Sequence, residues 1–334
     1  MPVNTHVAAA DLIELWRGDL LESVHRGHAV IWGEGGMVEA WGDPDAIIYP
    51  RSSCKMLQAL PLIESGAADA VGLQTEQLAL SCASHNGAAI HTSSVGAWLD
   101  TLGLGESDLR CGSHMPQDRA ESRRLICSDE KPCQLHNNCS GKHAGFLTLN
   151  RRLRGDADYH MIDHPVQQAV KAAFEEVTGE TSPGHGIDGC SAPNFATSVS
   201  GLARAMAAFA APSGGARGDA MVRLTQAMIL HPDLVAGEGR ACTELMRAMN
   251  GRAAVKTGAE AVFVAIIPER RMGVALKVVD GGTRGSEAAI TALMIRLGLL
   301  DANDPVAQKL LTGPQKNWRG VEVAQLRRAK GFAR

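Results

Sequence analysis

The chain has 334 residues, long enough to bury a large core in one broad domain or two. Hydrophobic residues make up 45% and charged residues 21%, a globular balance that argues against a disordered chain. The net charge of −3 leaves no basic excess for nucleic acid or an anionic membrane, and favours a small-molecule enzyme over a protein-binding module.

In chain order, the opening "MPVNTHVAAADLIELWRG" has no basic segment followed by an apolar one, so no signal peptide is expected. "ESVHRGHAVIWGEGGMVEAWGD" alternates in polarity and turns at Gly33-Glu34-Gly35-Gly36, which predicts a β-hairpin. Helix follows from about Arg51 and is kinked or ended by Pro61. The stretch 75–83 reads as a short helix, and Ser84-His85-Asn86-Gly87 as a turn into another. "DHPVQQAVKAAFEEVTG" has Pro165 near its first turn and Gly179 at its end, a helix with both signals. "APNFATSVSGLARAMAAFA" and "GDAMVRLTQAMIL" are apolar at helical spacing, with "APSGGARG", 211–218, as a flexible loop between them. A second hairpin is predicted from strands at 262–267 and 272–279, with its turn at 268–271. "SEAAITALMIRLG" reads as the last helix, and the tail over 313–334 as either an added strand or a solvated face.

The expected architecture is α+β, in a single domain over 1–334. Its N- and C-terminal strands form one antiparallel sheet packed with helices. A mostly helical middle, about residues 75–250, lies between the hairpins. The longest strongly apolar run, "AVFVAII", is too short to span a bilayer, so a soluble cytoplasmic protein is expected. In that reducing setting the eight cysteines read as buried thiols, metal ligands or catalytic groups rather than disulfides. No C-x-x-C pair is present, which excludes a zinc ribbon on spacing.

Three short motifs carry chemistry when taken together. "YPRSSCKMLQAL" places Lys55 one helical turn after Ser52. "SCASHNGAA" contains Ser84-His85-Asn86, and "AVKTGAEAVF" contains Lys256-Thr257-Gly258 just before, or at the start of, the strand that follows. Each alone reads as a helix cap, a plain turn and a strand start. In this order, S-x-x-K, S-x-N and K-T-G form the pattern of the penicillin-recognising serine enzymes. A serine attacks a carbonyl, and a lysine held partly neutral accepts its proton. A second serine relays a proton to the leaving nitrogen, and a second lysine supplies positive charge. Backbone N–H groups of the nucleophile and of Ala259 would hold the oxyanion. His85 in place of aspartate, and the short interval between the two serines, depart from the cell-wall enzymes. The opposite assignment, with Ser84 attacking and Lys256 as its base, is chemically open. Cys54 is a rival nucleophile, although on a helix it points away from the Ser52–Lys55 face.

The blocks "RSSCKMLQALPLIESGAA", "LALSCASHNG", "LHNNCSGKHAGFL", "HPVQQAV", "GIDGCSAPNFA" and "KTGAEAVF" resemble the asparaginase II family, the rhizobial-type (class 3) L-asparaginases, from about residue 20 to about 300. The resemblance implies hydrolysis of L-asparagine to L-aspartate and ammonia, a fold like the serine β-lactamases and penicillin-binding proteins, and a homodimer. Its catalytic positions fall on Ser52, Lys55, Ser84 and Lys256. It also implies zinc held by Cys139, Lys142 and Cys190, to position substrate or hold the site together rather than to generate the nucleophile. Cys139 and Lys142 are spaced i, i+3, which suits one ion, while a lysine ligand must first lose its proton. Asp188 is a candidate to orient a ligand or bind substrate. Arg51, Asn86 and Glu260 are further substrate-binding candidates, and His143 reads as a core histidine or a support for the site. The alternatives in other classes are a serine amidase or esterase acting on a β-lactam or peptide, and a non-catalytic zinc-binding homologue.

Overall fold

The computed structural model describes residues 8–334. Residues 1–7, on which the signal-peptide expectation partly rests, lie outside the described residues. Contacts group the chain into two compact units, each assembled from separate stretches. One contains the chain up to Ser53, Thr197–Ala211 and Glu244–Arg334; the other contains Cys54–Ala196 and Pro212–Thr243.

The first unit is built on an antiparallel sheet. Its strands are β1 Ala10–Arg17, β2 Leu20–Gly33, β3 Gly36–Trp41, β4 Ala254–Gly258, β5 Val262–Ile267, β6 Met272–Val278, β7 Gln315–Lys316 and β8 Glu322–Arg328. They lie in the order β7-β8-β1-β2-β6-β5-β4, with β3 also paired to β2. The long β2 joins the two ends of the chain: β6 runs beside it from Gly273↔Trp32 to Val278↔Gly27. The antiparallel sheet of N- and C-terminal strands is therefore the observed one. Register puts Gly273 and His25 on opposite faces. A Cβ at Gly273 would run into the backbone of the helix Val199–Ala210, and a Cβ at Gly285, in the helix Thr283–Arg296, would meet the His25 ring. Each face thus carries one helix.

Several sequence expectations are corrected here. β1 was not anticipated: its register shifts between Asp11 and Ile13, so the adjacent Leu12 and Ile13 are both fully buried and the alternation is lost. The tail supplies a strand, β8, paired with β1 from Ile13↔Arg328 to Trp16↔Gln325. Lys256-Thr257-Gly258 belongs to its own strand, β4, paired with β5, instead of opening the latter. In "APNFATSVSGLARAMAAFA" the helix starts only at Val199. Pro193–Phe195 and Thr197–Ser198 are extended, and the Ser198 hydroxyl accepts the Gly201 N–H at 2.8 Å as an N-cap.

The second unit is mainly helical. Its helix Ser140–Leu153 is buried over its first ten residues and touches the helices Leu60–Glu64, Thr75–Ser81, Ala89–Thr101 and Pro165–Thr178. The approach to Thr75–Ser81 is so close that a Cβ on Gly141 would collide with the Leu80 carbonyl group. This packs "CSGKH" beside "SCASHNG". Gly141→Ala is expected to destabilise the protein by about 1–3 kcal/mol through overpacking, read as a lower urea midpoint at unchanged m. A midpoint equal to that of the wild type would contradict this packing. Among the described residues no helix is long and apolar enough to cross a membrane.

Candidate active site

The segment Arg51–Cys54 is a 3₁₀ turn that continues into the helix Lys55–Gln58. Ser52 and Lys55 are three residues apart in this continuous helical run, the spacing of one turn. Arg51 enters the turn at φ 54°, a left-handed conformation that costs a non-glycine residue about 1–2 kcal/mol. Strain of this kind persists where surrounding contacts enforce it. Ser53 is fully buried and both its N–H, at 3.1 Å, and its hydroxyl, at 2.7 Å, donate to the Pro50 carbonyl. Ser53 is therefore committed to the turn, while Ser52 is only half-buried and reachable. Cys54 is 1% exposed, and burial pushes its thiol pKa up to about 12, which leaves it a protonated core group.

The K-T-G strand docks on this turn. A Cβ at Gly258 would lie 2.6 Å from the Pro50 oxygen and 3.1 Å from the Ser53 nitrogen, so only glycine permits the approach. Lys256 is fully buried in β4, and its ammonium donates to the Thr257 carbonyl at 2.8 Å. Ala259, Glu260 and Ala261 then form the turn into β5. Ala259 and Glu260 are exposed, and both Glu260 (φ 58°) and Ala261 (φ 57°) are left-handed.

In the second unit, Lys55 is 1% exposed. Its ammonium donates to the Ala83 carbonyl, immediately before Ser84, and to Cys139 Sγ at 3.1 Å. One lysine thus ties the helix Lys55–Gln58 to the Ser84 turn and to the "CSGKH" segment. The Ser84 N–H donates to the Val235 carbonyl at 2.9 Å. His85 is buried, stacks on His91 with centroids 4.5 Å apart, and pairs through Nε2 with the Ser140 hydroxyl at 3.0 Å. Burial, helped by His91, holds its pKa well below the ordinary histidine range, so it stays neutral. This explains how histidine takes the middle place of S-x-N: here it braces the turn. The Asn86 side chain accepts the Ala88 N–H at 3.3 Å and reaches Asp118 at 3.5 Å. It also packs directly on Gly237 (φ 104°), where a Cβ would clash with its carboxamide.

The sequence reading missed that contact. Residues 235–240, "VAGEGR", support both Ser84 and Asn86, and their glycines at 237 and 239 were the available signal. His143 is the core histidine of the two readings offered: it is fully buried, and Nδ1 pairs with the Tyr159 hydroxyl at 2.9 Å.

Three donors of the second unit have the chemistry of a soft-metal site. Lys142 Nζ lies 2.9 Å from Cys190 Sγ, and Cys139 and Cys190 are hydrogen-bonded to each other. The Cys139 thiol, with Lys142 and Lys55 nearby, holds the Cys190 pKa well below the ordinary thiol range against the opposing effect of burial. Burial acts against the Lys142 ammonium, but its sulfur neighbours, Cys190 first, outweigh it and raise its pKa. Asp188 turns the loop that carries Cys190: it accepts the Gly189 N–H at 2.7 Å and pairs with Asn194 at 3.3 Å. Two sulfurs and an amine in this arrangement fit zinc, provided the amine releases its proton on binding. Among the described residues no group of three or more His, Cys, Asp or Glu is placed to hold a metal ion.

The sequence-predicted residues thus fall into two groups. Arg51, Ser52, Lys256, Ala259 and Glu260 lie in the first unit; Lys55, Ser84, Asn86, Cys139, Lys142, Asp188 and Cys190 lie in the second. The chain crosses between the units at residues 53/54, 196/197, 211/212 and 243/244.

Comparison with solved structures finds a β-lactamase from Mycobacterium bovis, 13% identical, covering 80% of this chain and 94% of its own, at a TM-score of 0.44. The native form of the protein Mglu is 12% identical, with 84% of this chain and 66% of its own covered, at 0.49. An octameric penicillin-binding protein homologue from Pyrococcus abyssi is 13% identical, covering 88% and 80%, at 0.40. No curated protein matches the chain. A profile described as L-asparaginase II matches residues 13–328, nearly the whole chain, and the chain therefore belongs to the L-asparaginase II family.

Proposed function

We propose that this protein is an L-asparaginase that uses Ser52 as its nucleophile. The observation that carries the reading is a reachable Ser52 on a strained turn against which the K-T-G strand is packed. Family membership supports an amidohydrolase acting on a small molecule. Ser52 attacks the side-chain carbonyl of asparagine, and Lys55, acting in its neutral amine form after releasing its own proton, takes the hydroxyl proton. The N–H groups of Ser52 and Ala259 receive the oxyanion. Ser84, backed by the charge of Lys256, delivers a proton to departing ammonia. The resulting aspartyl ester on Ser52 is released by water. Arg51, Asn86, Asp188 and Glu260 are the proposed substrate contacts, the last for the α-amino group.

Cys139, Lys142 and Cys190 would hold zinc. When bound it would supply a Lewis-acidic anchor that fixes these segments or the substrate. The reading includes a single family module over both units, a homodimer and a reducing cytoplasm, where the eight thiols stay reduced.

Ammonia release from L-asparagine, with L-glutamine, a chromogenic β-lactam and metal content measured on the same protein, tests the reading. Fast release from asparagine supports it. Hydrolysis of the β-lactam alone favours the serine amidase alternative. No hydrolysis by folded, zinc-loaded protein favours the non-catalytic homologue.

A further inference from the structure

Ala259, Glu260 and Ala261 include no glycine, asparagine or proline, yet two of them are left-handed. Something outside the turn must hold it. β6 provides the answer. Lys277 stands beside Val262 on β5, and Val262 stands beside Gly258 on β4, so these three form one row across the sheet. From that row the Lys277 ammonium donates to the carbonyl of Glu260 at 2.7 Å and to that of Val278 at 2.5 Å. The Val278 N–H adds a bond to the Ala261 carbonyl at 3.1 Å. Burial works against the Lys277 charge, and Glu260 and Asp280 oppose that effect. Asp280 is itself fixed by the Gly282 N–H at 2.6 Å and by His25 at 2.7 Å. The half-buried lysine is therefore held between the carbonyl of Glu260, a left-handed residue, and that of Val278.

We infer that Lys277 is a positioning residue: it fixes the peptide at Glu260 and thereby the direction of the Ala259 N–H. This rests on the proposed function, in which that N–H receives the oxyanion. Lys277 touches no substrate in this account and acts only through the turn.

The test compares wild type with Lys277→Met, which keeps the aliphatic stem and loses the donor, and Lys277→Arg, which keeps the charge. Lys277→Met is expected to lower kcat for ammonia release at least about tenfold with KM within about threefold, because a misdirected oxyanion donor weakens the transition state more than the ground state. Amide exchange at Val278, whose N–H bonds to the Ala261 carbonyl next to the held peptide, should accelerate about tenfold in the same variant as the turn loosens. Lys277→Arg should recover most of both. Wild-type kcat with wild-type exchange in Lys277→Met would overturn the inference. So would faster exchange at Val278 without any change in kcat. If wild type itself releases no ammonia, the asparaginase reading falls, and exchange alone decides whether Lys277 holds the turn. Should Lys277→Met fail to fold, Lys277→Gln, polar and too short to reach, carries the same comparison.

Discussion

Ser52→Ala is expected to abolish ammonia release from L-asparagine, by roughly 10⁴-fold or more in kcat, while leaving the urea midpoint within about 0.5 kcal/mol of wild type. The reasoning is local. Ser52 is half-buried on a turn whose structural work is done by its neighbours. Ser53 makes both bonds to Pro50, Cys54 is buried, and Gly258 closes on the backbone. Removing the Ser52 hydroxyl deletes a nucleophile without deleting a support. Ser53→Ala should do the reverse, losing about 1 kcal/mol of stability with its buried hydrogen bond and reducing turnover far less. A Ser52→Ala protein that keeps a tenth of wild-type turnover would move the nucleophile elsewhere, to Ser84 first.

Cys190→Ser has the second large expected effect, and it is on stability. Lys142 is 3% exposed and Lys55 1% exposed, two ammonium groups inside one unit. The Cys190 sulfur accepts a hydrogen bond from Lys142 at 2.9 Å, and its neighbours hold its thiol pKa well below the ordinary range. A serine hydroxyl stays neutral at any working pH, where the neighbours of Cys190 favour its ionised form, so the substitution weakens the hydrogen-bonded partner of a buried ammonium. Breaking a buried pair from one side costs about 3–5 kcal/mol. Urea unfolding should show a loss of that order, and bound zinc measured on the purified protein should fall with it. Cys127→Ser, at an exposed thiol, is the control and should change neither. An unchanged midpoint in Cys190→Ser would mean that the lysine charges are balanced by other groups.

Which parts of this structure could be seen in the sequence follows from physical cause. The hairpin β2–β3 and the strands β5 and β6 were legible because glycine or proline marks their turns and their residues alternate or are continuously apolar. β1 was not, since its bulge places two large apolar residues side by side. The sequence leaves open whether Lys256-Thr257-Gly258 precedes β5 or opens it, because Ala259-Glu260-Ala261 carries no turn residue; Lys277, distant in sequence, supplies what the turn lacks. The candidate catalytic residues were legible through residue type and order, as Ser52, Lys55, Ser84 and Lys256. Their partners were not. That Lys55 binds the Ala83 carbonyl and Cys139, or that Gly237 lies against Asn86, depends on how separate helices pack, and no local pattern encodes it. His85 shows the limit in the other direction: its motif position suggested chemistry, and its buried stack on His91 assigns it to the frame.

The most direct test of the central claim is to stop the wild-type reaction with acid during turnover of L-asparagine and map the acylated peptide by mass spectrometry. The account predicts an aspartyl ester on Ser52. An ester on Ser84, or a thioester on Cys54, would contradict it.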